Sequence, residues 1–211
     1  MSVEIYSIMK NEERILPLYL EHYKTAFPGC VINVYDNGST DKSVELCRVA
    51  GCNIGVFPKY EELLLQKFKN SIWKNSKADW IIVCDVDELL QINEADLDQL
   101  GDVDVIWFKG YNMLDVELNS DPRSFHTGSE CPIYDKQAMF RRSVKNMNYS
   151  IGAHLAGPEP GVKYSKHEFF LLHYNKSWFT MENFVKTFSK SPKKIIEESY
   201  RQLTKNRLRV K

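Results

Sequence analysis

The chain has 211 residues with 28 basic and 28 acidic side chains, a formal net charge of zero, and the composition of an ordinary globular protein able to bury one real core. No apolar stretch approaches the ~20 residues needed to cross a bilayer. Met1-Ser2-Val3-Glu4 also lacks the basic-then-apolar start of a signal peptide, so a soluble chain, not secreted and cytoplasmic, is expected.

In chain order, Val3 to Met9 alternates and is β-branched at Val3, Ile5 and Ile8, which predicts a first strand with Lys10-Asn11-Glu12-Glu13 at its end. Ile15, Leu16, Tyr19, Leu20 and Tyr23 share a helical face, and Pro17 suits a first turn. A helix is therefore expected from about Arg14 to the break at Pro28-Gly29. Cys30 to Tyr35 reads as a second strand running into Asp36-Asn37-Gly38-Ser39-Thr40-Asp41, a cluster of turn formers and helix caps. Ser43 to Ala50 reads as a short helix closed by Gly51, and Asn53 to Phe57 as a third strand. A longer helix is expected over Glu61 to Lys77, with Leu64, Leu65, Phe68, Ile72 and Trp73 on one face. Trp80 to Cys84 is a short apolar run rich in β-branched residues, as in a strand buried on both faces.

This alternation predicts an α/β fold, a mostly parallel sheet with helices on both faces. In such sheets ligands bind outside the carboxyl ends of the strands, which singles out residues 10–13, 36–41 and 85–88. Further strands are expected over Asp104 to Phe108, Met139 to Arg142 and Glu168 to His173, joined by polar links at 109–136 and 145–166 that read as lids or binding loops. Residues 181–211 read as mainly helical with a break at Pro192. Residues 182–211 carry nine basic and three acidic side chains, a basic tail on a mildly acidic body.

Asp85-Val86-Asp87-Glu88 is the stretch on which the chemistry turns. A strand repeats every two residues, so Asp85 and Asp87 point the same way with Cα atoms about 6–7 Å apart. Two carboxylates facing one way repel, and a divalent cation carrying a phosphate group suits such hard oxygen ligands. The plainer alternative is that these acids stop the strand and cap the next element. Glu88 should point elsewhere and brace the turn. Neither Gly-x-Gly-x-x-Gly nor Gly-Lys-Ser/Thr is present, so a metal held by Asp85 and Asp87 would supply the positive charge that phosphates need. The five cysteines are single and odd in number, as expected for reduced thiols rather than a zinc site.

Together these motifs resemble GT-A glycosyltransferases of the family-2-like group. They comprise Lys10-Asn11-Glu12-Glu13 after a strand, Val34-Tyr35-Asp36-Asn37-Gly38-Ser39-Thr40-Asp41, Asp79-Trp80, Asp85-Val86-Asp87-Glu88, and His173-Tyr174 after an apolar strand. The likeness is good over about the first 90 residues and looser as far as Trp178. It implies a single Rossmann-like domain over residues 1–180, with a nucleotide-binding half at about 1–100, an acceptor half at about 101–180, and a basic helical extension at 181–211. The chain is also similar to the N-terminal domain of a large glycosyltransferase encoded by chlorella viruses. That implies a viral protein in the host cytoplasm whose basic tail leads to further domains.

The resemblance also implies roles. Asp85 and Asp87 would hold Mn²⁺ or Mg²⁺ against the donor pyrophosphate and contact the ribose, with Val86 between them, and Asp36, with Asn37 beside it, would accept a hydrogen bond from the base, usually uracil. Asn11 and Glu12 would line the nucleoside pocket, Lys67, with Gln66 and Asn70, would lie near the base or phosphates, and His173, rather than His154, would be a third metal ligand. The expected reaction transfers a sugar, most simply a hexose from UDP, to a hydroxyl of a glycan acceptor, with no nucleic-acid partner. If it inverts the anomeric centre, a carboxylate must take the proton from the acceptor. Asp115, Glu117, Glu130, Asp135, Glu159 and Glu168 are available, and Asp115, just past the strand at Trp107-Phe108, is the favoured base. Two other readings remain open from residues alone. One is a haloacid dehalogenase-type phosphohydrolase, although its nucleophile belongs on the first strand, which here ends in Lys10-Asn11. The other is a nucleotide-sugar-binding module without catalysis.

Overall fold

The sheet grows outward from Val3–Met9 (β1), whose side chains alternate between two cores. The computed structural model describes residues 1–58, 60–113, 121–125, 127–151, 155–174 and 208–209. After β1 come Leu16–Ala26 (α1), Val31–Asp36 (β2), Ser43–Val49 (α2), Asn53–Val56 (β3), Glu62–Lys69 (α3) and Trp80–Val83 (β4). β1 pairs in parallel with β2 and β4, and β2 with β3, so this half is the parallel sheet that the sequence predicts. Pro17 lies in the first turn of α1, where a missing N–H costs nothing.

Helices cover both faces. Val3, Ile5, Met9, Trp80 and Ile82 pack with Leu16, Tyr19, Leu20 and Tyr23 of α1 and Cys47 of α2. Tyr6, Ile81 and Val83 pack on the opposite face with Trp73, just beyond α3. Trp80, Ile81 and Ile82 are wholly buried, which is why β4 reads as an unbroken apolar run. Each such side chain contributes about 1.5–3 kcal/mol on burial.

The helix expected over Glu61 to Lys77 stops at Lys69. Ser71 Oγ donates to Lys67 O at 3.0 Å and Ser71 N turns to Phe68 O at 2.9 Å, so a side chain occupies the carbonyl that the next helical bond would have used.

Beyond β4 the architecture departs further from expectation. Glu88–Gln91 (β5) follows at once, then Glu94–Gln99 (α4), which Asn93 opens with a capping box. Val105–Met113 (β6) runs five residues past the expected end at Phe108, and is followed by Thr127–Glu130 (β7), Lys136–Arg141 (β8) and Phe169–His173 (β9). Lys109, Gly110 and Asn112 look like loop residues in sequence. Gly110 is accommodated in the strand because the backbone of Tyr134 lies where a Cβ would stand, at 2.6 Å. β8 is antiparallel to β4 and β6, β7 is antiparallel to β6, and β9 runs parallel to β6 and antiparallel to β5. The sheet is thus parallel from β3 to β4 and mixed beyond it. Of the expected C-terminal helix, only Leu208–Arg209 (β10) falls among the described residues, as a short strand against β7.

α1 also fixes β5. Tyr23 Oη donates to Glu88 O at 2.9 Å and accepts from Leu90 N at 3.2 Å, and His22 Nε2 donates to Leu90 O at 2.9 Å. Tyr23 Oη also lies 3.4 Å from Cys84 Sγ, so the acidic turn between β4 and β5 is held from both ends. Among the described residues no helix is long and apolar enough to cross a membrane. The five cysteines are free thiols.

Candidate active site

The turn Asp85-Val86-Asp87 joins the buried end of β4 to β5, and Glu88 folds back under it. Glu88 N donates to Asp85 O at 3.1 Å, and Asp85 N donates to Glu88 Oε2 at 3.0 Å. The other Glu88 oxygen meets Lys136 Nζ at the start of β8, both side chains being buried. Burial alone would depress the Lys136 ammonium, but the Glu88 and Asp85 carboxylates outweigh it and push its pKa up to about 12. Glu88 thus braces the turn.

Asp85 is claimed by a second buried lysine. Lys69 Nζ, at the end of α3, donates to both of its oxygens at 2.8 and 3.0 Å. Burial works against the charge on Asp85, yet the ammoniums of Lys69 and Lys136 hold its carboxyl below the ordinary range. Val86 is buried.

Asp87 faces β9. His173 Nε2 stands 3.4 Å from Asp87 Oδ2, and Tyr174 N donates to Asp87 O at 2.7 Å. The pairing of β5 with β9 sets Glu88 opposite His173, which brings the distant histidine to the acidic turn. The ring is held on two further sides. Its Nδ1 lies 2.7 Å from Asn112 Oδ1 on β6, and Tyr134 stacks on it with centroids 3.8 Å apart and planes at 22°.

This donor set can be tested against a divalent ion. Two ligands at about 2.1 Å and a right angle stand about 3 Å apart. The Asp87–His173 separation of 3.4 Å suits that arrangement, and the second ring nitrogen has the partner that metal-binding histidines normally have. Asp85, expected as a ligand beside Asp87, is turned to Lys69 instead, and no three His, Cys, Asp or Glu side chains among the described residues close into a metal cage. Asp87 and His173 could thus supply two ligands to such an ion.

The other two polar segments are laced together at the ends of β1 and β2. Asn11 has the left-handed φ of 54°, a conformation Asn tolerates, and its Oδ1 accepts from Thr40 N at 2.7 Å. Its own N–H donates to Ser39 Oγ at 2.9 Å, and Glu12 N donates to Ser43 Oγ at 2.7 Å. Asp36 closes its own turn, accepting from Gly38 N at 3.2 Å and from Ser39 N at 3.1 and 3.2 Å. Asn37 Nδ2 donates to Phe57 O at 2.8 Å. The edge expected to hold a nucleoside is thus a pre-built wall.

Lys67 lies exposed on α3, and the lysine that reaches the acidic turn is Lys69. Gln66 and Asn70 bind Tyr149, through Gln66 Nε2 to Tyr149 O at 2.9 Å and Tyr149 N to Asn70 Oδ1 at 2.8 Å. Asp115, Glu117 and His154 lie outside the described residues. Among the other candidate bases, Glu159 accepts from Lys145 N at 2.6 Å and Asn146 N at 2.7 Å, Asp135 accepts from Gly110 N at 2.8 Å, and Glu130 and Glu168 share Lys109. Lys69, Lys136, Asn112 and Tyr134 are the site residues that pattern reading misses. A signal existed for Lys69 alone, a lysine four residues after Leu65 and four before Trp73 on an otherwise apolar stripe.

No family model and no curated protein matches the sequence. Among solved structures, the chain is similar to TarS of S. aureus. That likeness has 15% identity and a TM-score of 0.47, covering 90% of this chain and 39% of TarS. With TarS 1–349 in complex with UDP it has 13% identity and a TM-score of 0.48, over 87% of this chain and 63% of that one. Glucosyl-3-phosphoglycerate synthase from Mycobacterium tuberculosis, in complex with Mn²⁺, UDP and glucosyl-3-phosphoglycerate, has 14% identity and a TM-score of 0.36, over 53% and 44%. In each case the chain spans less than two thirds of the other protein's length.

Proposed function

We propose that the chain is a metal-dependent glycosyltransferase domain that moves a hexose from a UDP-sugar to a hydroxyl of a glycan acceptor. The observation that carries this reading is the pair Asp87 Oδ2 and His173 Nε2, 3.4 Å apart at the carboxyl edge of the sheet. Two buried lysines stand behind the same turn. Breaking a sugar–phosphate bond builds negative charge on the leaving nucleotide, and a site that pre-places positive charge there lowers the barrier. Mn²⁺ or Mg²⁺ held by Asp87 and His173 would neutralise the departing diphosphate.

The chain's own groups supply the rest. Lys69 keeps Asp85 ionised and aimed, with its half-exposed face available to ribose hydroxyls. Asp36 offers its remaining acceptor capacity to the base edge, between Asn37 and the wall formed by Asn11 and Glu12. Asp115 is the proposed base that takes the acceptor proton, in an inverting displacement.

Incubating the chain with UDP-hexoses and Mn²⁺ tests this reading through slow donor hydrolysis, read as UDP release. UDP release that depends on Mn²⁺ and disappears in Asp87→Ala is expected. Undiminished release in that variant would overturn it.

A further inference from the structure

Resting on the reading of Asp87 and His173 as metal ligands, we infer that Asn112 and Tyr134 are positioning residues that fix the tautomer and plane of His173 before any metal arrives. His173 and Asn112 are 5% and 8% exposed, so the ring nitrogens have no bulk water to satisfy them. An amide oxygen only accepts, so the 2.7 Å contact with Asn112 Oδ1 requires the proton on Nδ1. The neutral ring then carries its lone pair on Nε2, the atom that faces Asp87. The 3.4 Å between them exceeds a normal N–H···O bond and is close to the spacing of two adjacent ligands on one ion.

The plane of the ring is set separately. Tyr134 ends the short 3₁₀ turn Pro132–Tyr134, and its backbone rests on Gly110 of β6, where an added Cβ would meet it at 2.6–2.8 Å. Gly110 pairs with Leu171 and Asn112 with His173 in the parallel register of β6 and β9. The close approach at Gly110 therefore lays the Tyr134 ring over His173, two residues along, at 22° between planes. One strand thus holds His173 twice, by an asparagine oxygen that accepts its Nδ1–H and by a ring seated over its glycine. A histidine fixed this way loses little freedom when it takes a metal.

Two measurements on the 211-residue chain test this. The first is the long-range proton–nitrogen NMR spectrum of ¹⁵N-histidine-labelled protein without metal, at about pH 8. A single Nδ1–H tautomer for His173 is expected in the wild type, and a mixture in Asn112→Leu. A wild-type ring that is mixed, or protonated on Nε2, would overturn the inference. The second is Mn²⁺ affinity in the presence of UDP, read by electron paramagnetic resonance. Asn112→Leu and Gly110→Ala should each bind about 10–100-fold more weakly, and Asn112→Asp, which keeps an acceptor for Nδ1–H, should recover most of the affinity. Wild-type affinity in Asn112→Leu would contradict the inference. Unchanged Mn²⁺ affinity in His173→Ala would instead sink the ligand assignment, and is told apart because the wild type would still show the single Nδ1–H tautomer.

Discussion

Replacing Lys136 by Met tests how the acidic turn is held. The Lys136 and Glu88 side chains are 4% and 2% exposed, so neither charge is relieved by water. Met is close to Lys in volume and leaves packing largely intact. It strips Glu88 of its counter-charge, keeping the hydrogen bond from Asp85 N at 3.0 Å. Removing one partner of a buried pair costs about 3–5 kcal/mol, because the other is left charged and unpaired. Against a total stability of about 5–15 kcal/mol, that is a large share. At about 2–4 °C per kcal/mol for a chain of this size, the melting temperature should fall by about 6–20 °C. Urea unfolding followed by tryptophan fluorescence reads the loss directly. Glu88→Leu combined with Lys136→Met removes both charges and should return to within about 2 kcal/mol of wild type, the residue being the lost brace to Asp85. A loss under about 1 kcal/mol in the single variant, or a double variant no better than the single, would refute the reasoning.

The Lys69–Asp85 pair should behave asymmetrically. Lys69 is 4% and Asp85 39% exposed at the side chain, so Lys69→Met leaves a carboxylate that water can reach and should cost no more than about 1 kcal/mol. Asp85→Ala strands a buried ammonium and should cost about 3 kcal/mol or more, and equal losses in urea unfolding would argue against this placement. Burial holds the His22 imidazole below its ordinary pKa, only partly offset by its bond to Leu90 O. The folded chain then binds that proton less readily than the unfolded one, so stability is full above about pH 6.5 and declines as pH falls below it. His22→Gln should flatten that decline in urea midpoints measured across this range, and an unchanged slope would count against the assignment. At Gly55 an added Cβ would meet Tyr35 ring carbons at 2.6 and 2.7 Å, pushing the ring from its edge contact with Phe68 of α3. Gly55→Ala should therefore lose about 1–3 kcal/mol in the same assay, whereas a neutral effect would show that the ring moves freely.

The first half of the chain was legible because each element carries its own pattern. Trp80 to Cys84 is apolar on every residue since β4 is covered on both faces, and Asn11, Asp36 and Asp87 follow their strands at one edge as topology requires. The second half was not, and particular residues say why. Gly110 and Asn112 have turn chemistry but lie in β6, one because Tyr134 needs the space and the other because His173 needs an acceptor. Asp85 and Asp87 share a strand period only while the strand persists. β4 ends at Val83, so the two diverge, one towards Lys69 and one towards His173. Lys69 and Lys136 are buried by pairing with acids distant in sequence, which no local periodicity records.

Calorimetric titration of UDP with and without Mn²⁺, in the wild type and in Asp87→Ala, tests the central claim most directly. UDP binding that requires Mn²⁺ and is lost in Asp87→Ala is the result the account predicts. No binding of UDP with Mn²⁺ present, or equal binding in both proteins, would contradict it.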